Sequence, residues 1–217
     1  MRRHRAIFLD RDGTLVHRRH YPSRPEDLRL YDGIGTRLRA LQEMGFRLVV
    51  ITNQSGVARG FFTRDDLERM HAHLRNDLAR SGVRLDGIYY CPHHPEGVVP
   101  GLAVRCGCRK PRPGMLLRAA EELYLTLEAS WLVGDILDDV EAGNRVGCRS
   151  VLVDLGTEAP PREPLRRPAF VAPDTIHALR IIQHAENTSG NNSDVVEMDY
   201  LPTSWRVAAS APAGKER

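Results

Sequence analysis

The sequence predicts an α/β fold in which a parallel sheet is flanked by helices, as in Rossmann-like domains. Short apolar segments of strand length alternate along the chain with longer amphipathic segments, and this alternation is typical of βαβ units. Three of the apolar segments end directly in clusters of polar residues, as buried strands do when they lead into loops. The length of 217 residues suits one domain with a small insert or tail.

Five segments have the short, continuous apolar composition of buried strands. In chain order they are residues 6–9, 47–51, 87–90, 131–133 and 150–153. Crossovers between parallel strands are right-handed, and ligands bind beyond the carboxyl ends of such strands. The polar residues that follow the first, second and fourth segments are therefore expected to meet at one edge of the sheet.

Three amphipathic segments predict helices between these strands. The segment 33–45 carries four apolar residues at helical spacing, which are Ile34, Leu38, Leu41 and Met44. The segments 63–82 and 113–127 have similar periodicity, and they begin with a capping threonine and a helix-starting proline respectively. These helices are expected to cover the faces of the sheet.

The composition changes near the C-terminus. From residue 187 the chain is polar and turn-forming, and its end is rich in Ala, Ser and Pro. Segments of this kind bury too little apolar surface to offset the entropy lost on folding. We therefore expect one domain over residues 1–186 and a mostly disordered tail over residues 187–217.

Charge and hydropathy exclude several classes of partner. The formal net charge is only +3, and the basic residues do not form a stripe with interleaved aromatic residues, so nucleic-acid binding has little support. The longest apolar runs are far too short to cross a bilayer, and no apolar signal segment follows the basic N-terminus. We expect a cytoplasmic monomer without a membrane partner that acts on a small acidic molecule.

Three carboxylates follow predicted strands. Asp10 and Asp12 come directly after the first strand, and Asp135 comes after the fourth. Asp10 is the candidate nucleophile that forms an aspartyl-phosphate, while Asp12 is the candidate general acid and base. Carboxylates gathered around a phosphate need a cation, and Mg²⁺ prefers such oxygen ligands. A single Asp-x-Asp-Gly segment is as often a structural turn, so the prediction depends on the whole set.

Lys110 is conspicuous because arginine supplies nearly all of the positive charge. Of 31 basic residues, only Lys110 and Lys215 are lysines. Because the two side chains differ in shape and hydration, a lysine retained against this bias indicates a site that needs a compact ammonium. Together with the Thr52 hydroxyl, Lys110 is a candidate donor to the oxygens of a phosphoryl group.

Four short segments resemble the motifs of the haloacid dehalogenase (HAD) superfamily. They are residues 10–14, 52–56, 109–114 and 133–135. More narrowly they are similar to its branch of heptose bisphosphate and histidinol-phosphate phosphatases, over residues 5–182. The resemblance implies a Rossmann-like core with a minimal cap and an aspartyl-phosphate intermediate. It also implies Mg²⁺ on Asp10, Asp12 and Asp135, phosphoryl contacts from Thr52 and Lys110, and a substrate contact from Arg109.

A loop over residues 91–108 carries a candidate zinc site. Cys91, His93, Cys106 and Cys108 supply three thiolates and an imidazole, a closed tetrahedral set that suits structural Zn²⁺. The spacing alone leaves His94 open as the fourth ligand, and the Cys-x-His pattern of the resembling phosphatases selects His93. Reduced thiols without a metal are the plain alternative. Because the loop ends beside Arg109 and Lys110, zinc is expected to position these two cations.

The residues after the first motif are candidates for substrate binding. In the resembling heptose phosphatases this stretch helps to hold the sugar, and here it contains Arg18, Arg19, His20 and Tyr21. The two arginines depart from the acidic or polar residues expected there. Either they bind a second phosphate, or they form a solvated basic loop. The second motif adds Asn53, Gln54 and Ser55, and the third adds Arg109 and Lys110.

Three functions compete on this sequence. The first hypothesis is a phosphatase that converts D-glycero-D-manno-heptose 1,7-bisphosphate to the 1-phosphate, favoured by the likeness of residues 89–95 to the heptose branch. The second is a histidinol-phosphate phosphatase, whose cationic substrate fits poorly beside Arg18 and Arg19. The third is a non-catalytic zinc-binding interaction module, which the intact set of Asp10, Asp12, Lys110 and Asp135 argues against.

Overall fold

The structure is a computed structural model of the chain, and it describes residues 3–188. The predicted tail therefore lies almost wholly outside the described residues. Its first two positions belong to the last helix, Thr175–Thr188, which runs two residues past the predicted boundary at 186.

Strands and helices alternate along the described chain. The strands are β1 (Ala6–Leu9), β2 (Arg47–Asn53), β3 (Gly87–Cys91), β4 (Trp131–Gly134), β5 (Arg149–Val153) and β6 (Phe170–Ala172). The helices are α1 (Ile34–Glu43), α2 (Arg64–Arg80), α3 (Gly114–Glu122), α4 (Leu137–Asn144) and α5 (Thr175–Thr188). All neighbouring strands are parallel, and their order is β3-β2-β1-β4-β5-β6. The predicted fold class is confirmed.

Local side-chain bonds and backbone conformation determine where two of the predicted helices begin and end. The Thr63 hydroxyl accepts from the Asp66 backbone N–H at 3.1 Å, and the Asp66 carboxylate accepts from the Thr63 N–H at 2.7 Å. This reciprocal cap begins α2 where the sequence predicts it. In contrast, α3 stops at Glu122 rather than at residue 127. Tyr124 has a φ of 53°, and a residue in this left-handed region ends a right-handed helix.

The core lies on both faces of the sheet. Along β1, Ile7 and Leu9 pack with residues of α1, α2 and α5, whereas Ala6 and Phe8 pack with residues of α3 and α4. Strands that are buried on both faces are apolar at nearly every position, which explains why these strands can be predicted from the sequence.

The strand order fixes the position of the site. Chain connections from β1 lead first to β2 on one side and later to β4 on the other, so a crevice forms beyond the carboxyl ends of β1 and β4. The Asp10 N–H donates to the Val133 carbonyl at 2.9 Å, which brings the ends of both strands together. Within residues 3–188, no helix combines the length and the apolar composition needed to cross a membrane.

Candidate active site

Three carboxylates meet at this crevice. Asp10 follows β1, Asp135 follows β4, and Asp139 lies in the first turn of α4. Their side chains are buried, and each offers an oxygen within 4.8 Å of the others. Asp10 and Asp135 were predicted to meet, whereas Asp139 was not predicted as a site residue.

Two glycines permit this close approach. Gly13 has a φ of 90°, and a Cβ atom at this position would lie 2.3 Å from Oδ2 of Asp135. A Cβ atom on Gly134 would likewise lie 2.3 Å from the Asp139 side chain. Real contacts of this kind are not tolerated, so both glycines are required where the chain passes beside a carboxylate.

Lys110 lies among these carboxylates with only 2% of its surface exposed. Its Nζ donates to Oδ1 of Asp10 at 2.6 Å and to the Ile51 carbonyl at 2.8 Å. It also forms an ion pair with Oδ1 of Asp139 at 2.5 Å. Two hydrogen bonds and one ion pair surround the ammonium group, in agreement with the compact cation expected from the sequence.

The cluster carries more negative than positive charge. Burial, with the charges of Asp10 and Asp139, raises the pKa of Asp135 to about 8. Burial raises the pKa of Asp139 to about 7, although Lys110 opposes this shift. Burial alone would lower the pKa of Lys110, but Asp10 and Asp139 outweigh it and raise that pKa above its ordinary value. Buried oxygen ligands with excess negative charge fit a hard divalent cation such as Mg²⁺.

Asp12 lies beside this cluster rather than in it. Its carboxylate accepts from Nη2 of Arg11 at 2.8 Å and from Nε2 of Gln54 at 2.9 Å. The expected magnesium set of Asp10, Asp12 and Asp135 therefore differs from the carboxylates that the structure gathers. Asp139 joins Asp10 and Asp135 in this cluster, while the buried Arg11 guanidinium holds the Asp12 carboxylate on the side of Gln54. The magnesium ligands themselves stay a prediction.

The residues of the second motif support the cluster from β2. Thr52 is buried at the end of the strand, and its hydroxyl accepts from Nε2 of Gln54 at 2.9 Å. Asn53 forms two hydrogen bonds with the Lys110 backbone. Its Oδ1 accepts from the Lys110 N–H at 3.1 Å, and its Nδ2 donates to the Lys110 carbonyl at 3.2 Å. The β2 loop thus fixes where the lysine enters the site.

A cavity of about 320 Å³ opens beside Asp12. It collects most of the predicted substrate-binding residues, and its lining is Asp12, Arg18, Arg19, His20, Tyr21, Pro22, Asn53, Gln54, Ser55 and Gly56. Arg109 is not part of this lining, and its buried Nη1 has no hydrogen-bond partner among the described residues.

The two arginines of the cavity wall are partly engaged. Nη1 of Arg18 lies 3.7 Å from Oδ2 of Asp135, and Nη1 of Arg19 lies 3.1 Å from Oδ1 of Asp27. Arg18 thus reaches from the cavity wall to the carboxylate cluster. Tyr21 packs edge-on against Phe61, with ring centroids 4.6 Å apart, so this wall is held by an aromatic contact.

The cysteine loop brings its four predicted ligands together. Cys106 Sγ lies 3.4 Å from Cys91 Sγ and 3.2 Å from Cys108 Sγ, and His93 Nδ1 lies 3.3 Å from Cys108 Sγ. His94 instead contacts the Arg59 guanidinium at 3.1 Å. Burial raises the pKa of the Cys91 thiol, so a thiolate there needs a cation. Three sulfurs and one nitrogen suit zinc.

Comparison with known proteins is consistent with this geometry. Residues 107–178 match the HAD-hydrolase-like family model. A Yersinia pestis protein named D-glycero-beta-D-manno-heptose-1,7-bisphosphate 7-phosphatase is 48% identical over 137 residues, which are 63% of this chain and 73% of the relative. The protein of the same name from Escherichia coli K12 is 47% identical over 153 residues, which are 70% of this chain and 76% of the relative.

A solved structure extends the likeness over most of the domain. The D,D-heptose 1,7-bisphosphate phosphatase from B. bronchiseptica, complexed with magnesium and phosphate, matches with a TM-score of 0.70 and 29% identity. The match covers 83% of this chain and 99% of that chain. The resemblance found in the sequence motifs is thereby confirmed. The chain belongs to the D-glycero-beta-D-manno-heptose-1,7-bisphosphate 7-phosphatase family of HAD phosphatases.

Proposed function

We propose that this protein is a Mg²⁺-dependent phosphatase that removes the 7-phosphate from D-glycero-β-D-manno-heptose 1,7-bisphosphate. The observation that carries the proposal is the buried Lys110 ammonium, which joins Asp10 and Asp139 next to Asp135, with Arg18 of the cavity wall reaching Asp135. The names of the related phosphatases support the substrate and its β anomer.

Catalysis proceeds in two displacements at phosphorus. The Asp10 carboxylate attacks the phosphorus, the bond from phosphorus to the sugar oxygen breaks, and Asp12 donates a proton to the leaving oxygen. A water molecule that gives its proton to Asp12 then attacks the phosphorus, releasing inorganic phosphate and the Asp10 carboxylate. Thr52 and Lys110 stabilise the charge on the phosphoryl oxygens.

Asp10 and Asp135 would hold the Mg²⁺ ion. Asp139 belongs to the same cluster, and Lys110 contacts both Asp10 and Asp139. Asp10 and Asp135 are the preferred ligands because they directly follow the two strands that flank the crevice and match the HAD motifs. When bound, the ion supplies the positive charge that keeps these carboxylates ionised and polarises a phosphoryl oxygen.

The cavity favours a compact, doubly anionic substrate. A volume of about 320 Å³ suits a small molecule, and Arg18 and Arg19 in its wall are suited to a second phosphate. Histidinol phosphate carries a cationic amine, which these two guanidinium groups would repel. The same carboxylates and lysine also argue against a purely structural zinc module.

A substrate comparison tests the proposed function. Phosphate release from the dialysed protein is measured with and without added Mg²⁺, on the β and α anomers of the heptose bisphosphate and on histidinol phosphate. We expect Mg²⁺-dependent release, with a value of kcat/KM for the β anomer at least about tenfold above both other substrates. A preference for histidinol phosphate would overturn the substrate assignment, and the absence of any release would overturn the function.

We further propose that Cys91, His93, Cys106 and Cys108 bind one structural Zn²⁺ ion. The matched variants His93→Ala and His94→Ala separate the two candidate imidazoles. The first is expected to lose most of the zinc and several degrees of thermal stability, because a closed site needs all four ligands. The second is expected to keep both. Elemental analysis of the purified variants measures the zinc, and retention by His93→Ala with loss by His94→Ala would show that the ligand is misassigned.

A further inference from the structure

Arg11 is a fully buried charge to which the mechanism above assigns no role. Its side chain is 0% exposed. Nε donates to both Asp12 oxygens at 3.1 Å, and Nη2 donates to Oδ2 at 2.8 Å. Burying a guanidinium is costly unless it is paired, and Asp12 is the acidic residue with which Arg11 forms an ion pair within residues 3–188. The pairing therefore fixes Asp12 through both of its oxygens, while Nη1 of Arg11 has no hydrogen-bond partner among the described residues.

Gln54 completes this arrangement from the neighbouring strand. Its Nε2 donates to Oδ2 of Asp12 at 2.9 Å and to Oγ1 of Thr52 at 2.9 Å. Its Oε1 accepts from Nη2 of Arg11 at 2.9 Å. The amide thus has both polar atoms occupied by protein groups, although Gln54 was expected to contact substrate. It ties the Asp12 loop to the end of β2, where the phosphoryl group is to be held.

His71 of α2 adds no charge of its own beside Arg11. His71 packs there as a buried side chain. Burial, followed by the charges of Arg11 and Arg75, lowers its pKa to about 3, so the imidazole is neutral at physiological pH. Among the carboxylates of the site within residues 3–188, the side chains of Arg11 and Gln54 contact Asp12 only.

We propose that Arg11 and Gln54 are positioning residues that hold the Asp12 carboxylate in line with the leaving oxygen of the substrate. This inference rests on the proposed function. Its consequence depends on the leaving group. A sugar oxygen departs as an alcohol and needs a proton from Asp12, whereas p-nitrophenolate departs readily without one. Misplacing Asp12 must therefore slow the first displacement far more on the sugar phosphate than on the aryl phosphate. The second displacement, in which Asp12 takes the proton of water, is common to both substrates and slows equally.

The test compares the heptose bisphosphate with p-nitrophenyl phosphate in the Mg²⁺-loaded full chain. Arg11→Lys keeps the buried charge but loses the fork of parallel N–H donors. In single-turnover measurements of leaving-group release, we expect the rate of the first displacement to fall at least about thirtyfold on the heptose bisphosphate and to stay within about threefold on p-nitrophenyl phosphate. Asp12→Asn should show the same discrimination more strongly.

A second variant and a matched control complete the design. Gln54→Leu removes the bonds to both Asp12 and Thr52, so we expect losses on both substrates with the larger loss on the heptose bisphosphate. This variant also tests the inference if Arg11→Lys does not fold. Arg75→Lys is the control, because Arg75 donates to the Leu85 carbonyl away from the cavity, and it should match the wild type on both substrates.

The outcomes separate this inference from the function on which it rests. Equal losses in the rate of the first displacement on the two substrates, or no loss on either, would overturn the positioning role while the wild type remains a phosphatase. A wild type that releases phosphate from neither substrate would overturn the proposed function and this inference with it.

Discussion

Asp10→Asn is expected to lower phosphate release from the heptose bisphosphate by at least about four orders of magnitude. Asp10 lies beside Lys110 with its Oδ1 at 2.6 Å from Nζ, so its carboxylate is fixed and anionic at the point where the phosphoryl group must arrive. An amide has nearly the same shape but no nucleophilic oxygen. The expected loss therefore concerns kcat in the Mg²⁺-loaded enzyme, measured as inorganic phosphate released with time.

Asp138→Asn is the matched control for this variant. Asp138 lies in the same acidic stretch as Asp135 and Asp139, but it is paired with Arg166 outside the cluster. The control is expected to keep wild-type activity, because neither the charge cluster nor the cavity changes. Unchanged release in Asp10→Asn would show that another group attacks phosphorus, even if the substrate assignment stands.

The strands of this fold are predictable because burial on both faces leaves an unbroken apolar signal. All five predicted strands are present, and their observed bounds differ by no more than two residues. The sixth, Phe170–Ala172, has only three residues, too few to show a pattern. The α3 helix was predicted too long because its apolar series continues past Glu122 to Leu123. In the structure Leu125 is buried after the helix has ended, next to His4.

Two helices were missed for different reasons. The α4 helix has only eight residues and includes three acidic side chains and a glycine, so it resembles a polar loop. In contrast, α5 carries a periodic apolar signal, with buried Ala178, Leu179 and Ile182, and its position after the last strand would have predicted it. Local periodicity was therefore sufficient for α5, whereas only tertiary contacts reveal α4.

The candidate site shows the same division between local and long-range information. Asp10, Asp135 and Lys110 were predicted to meet because each follows a strand or belongs to a recognisable motif. Asp139 resembles an ordinary helix-capping carboxylate, and it does accept from the Ile136 N–H at 3.3 Å. Its burial against Lys110 depends on the loop that arrives from 29 residues earlier in the chain, which no local pattern specifies. The spacing of Asp135 and Asp139, four residues apart at a helix start, was the available signal.

Lys110→Arg and Lys110→Met are both expected to lower kcat by about a thousandfold. The ammonium sits between Asp10, Asp139 and the Ile51 carbonyl, with three contacts between 2.5 and 2.8 Å. A planar guanidinium is larger and directs its donors in a plane, so it does not reproduce this arrangement. The arginine variant should therefore fail although it keeps the charge. Steady-state rates at saturating Mg²⁺ measure the effect.

The pH dependence of thermal stability distinguishes loss of the Lys110 charge, as in Lys110→Met, from a change in the shape of the cation, as in Lys110→Arg. In the metal-free protein the pKa of Asp139 is raised to about 7 and that of Asp135 to about 8, so ionising them destabilises the fold as pH rises from the ordinary carboxyl range through these values. Lys110→Met removes the cation that opposes this cost, and its deficit in thermal stability against the wild type should grow between pH 6 and about pH 9. Lys110→Arg retains a cation, so its deficit should change less over the same range. If Lys110→Arg kept full activity, charge alone would be what the site requires, and the rare lysine of this arginine-rich chain would need another explanation.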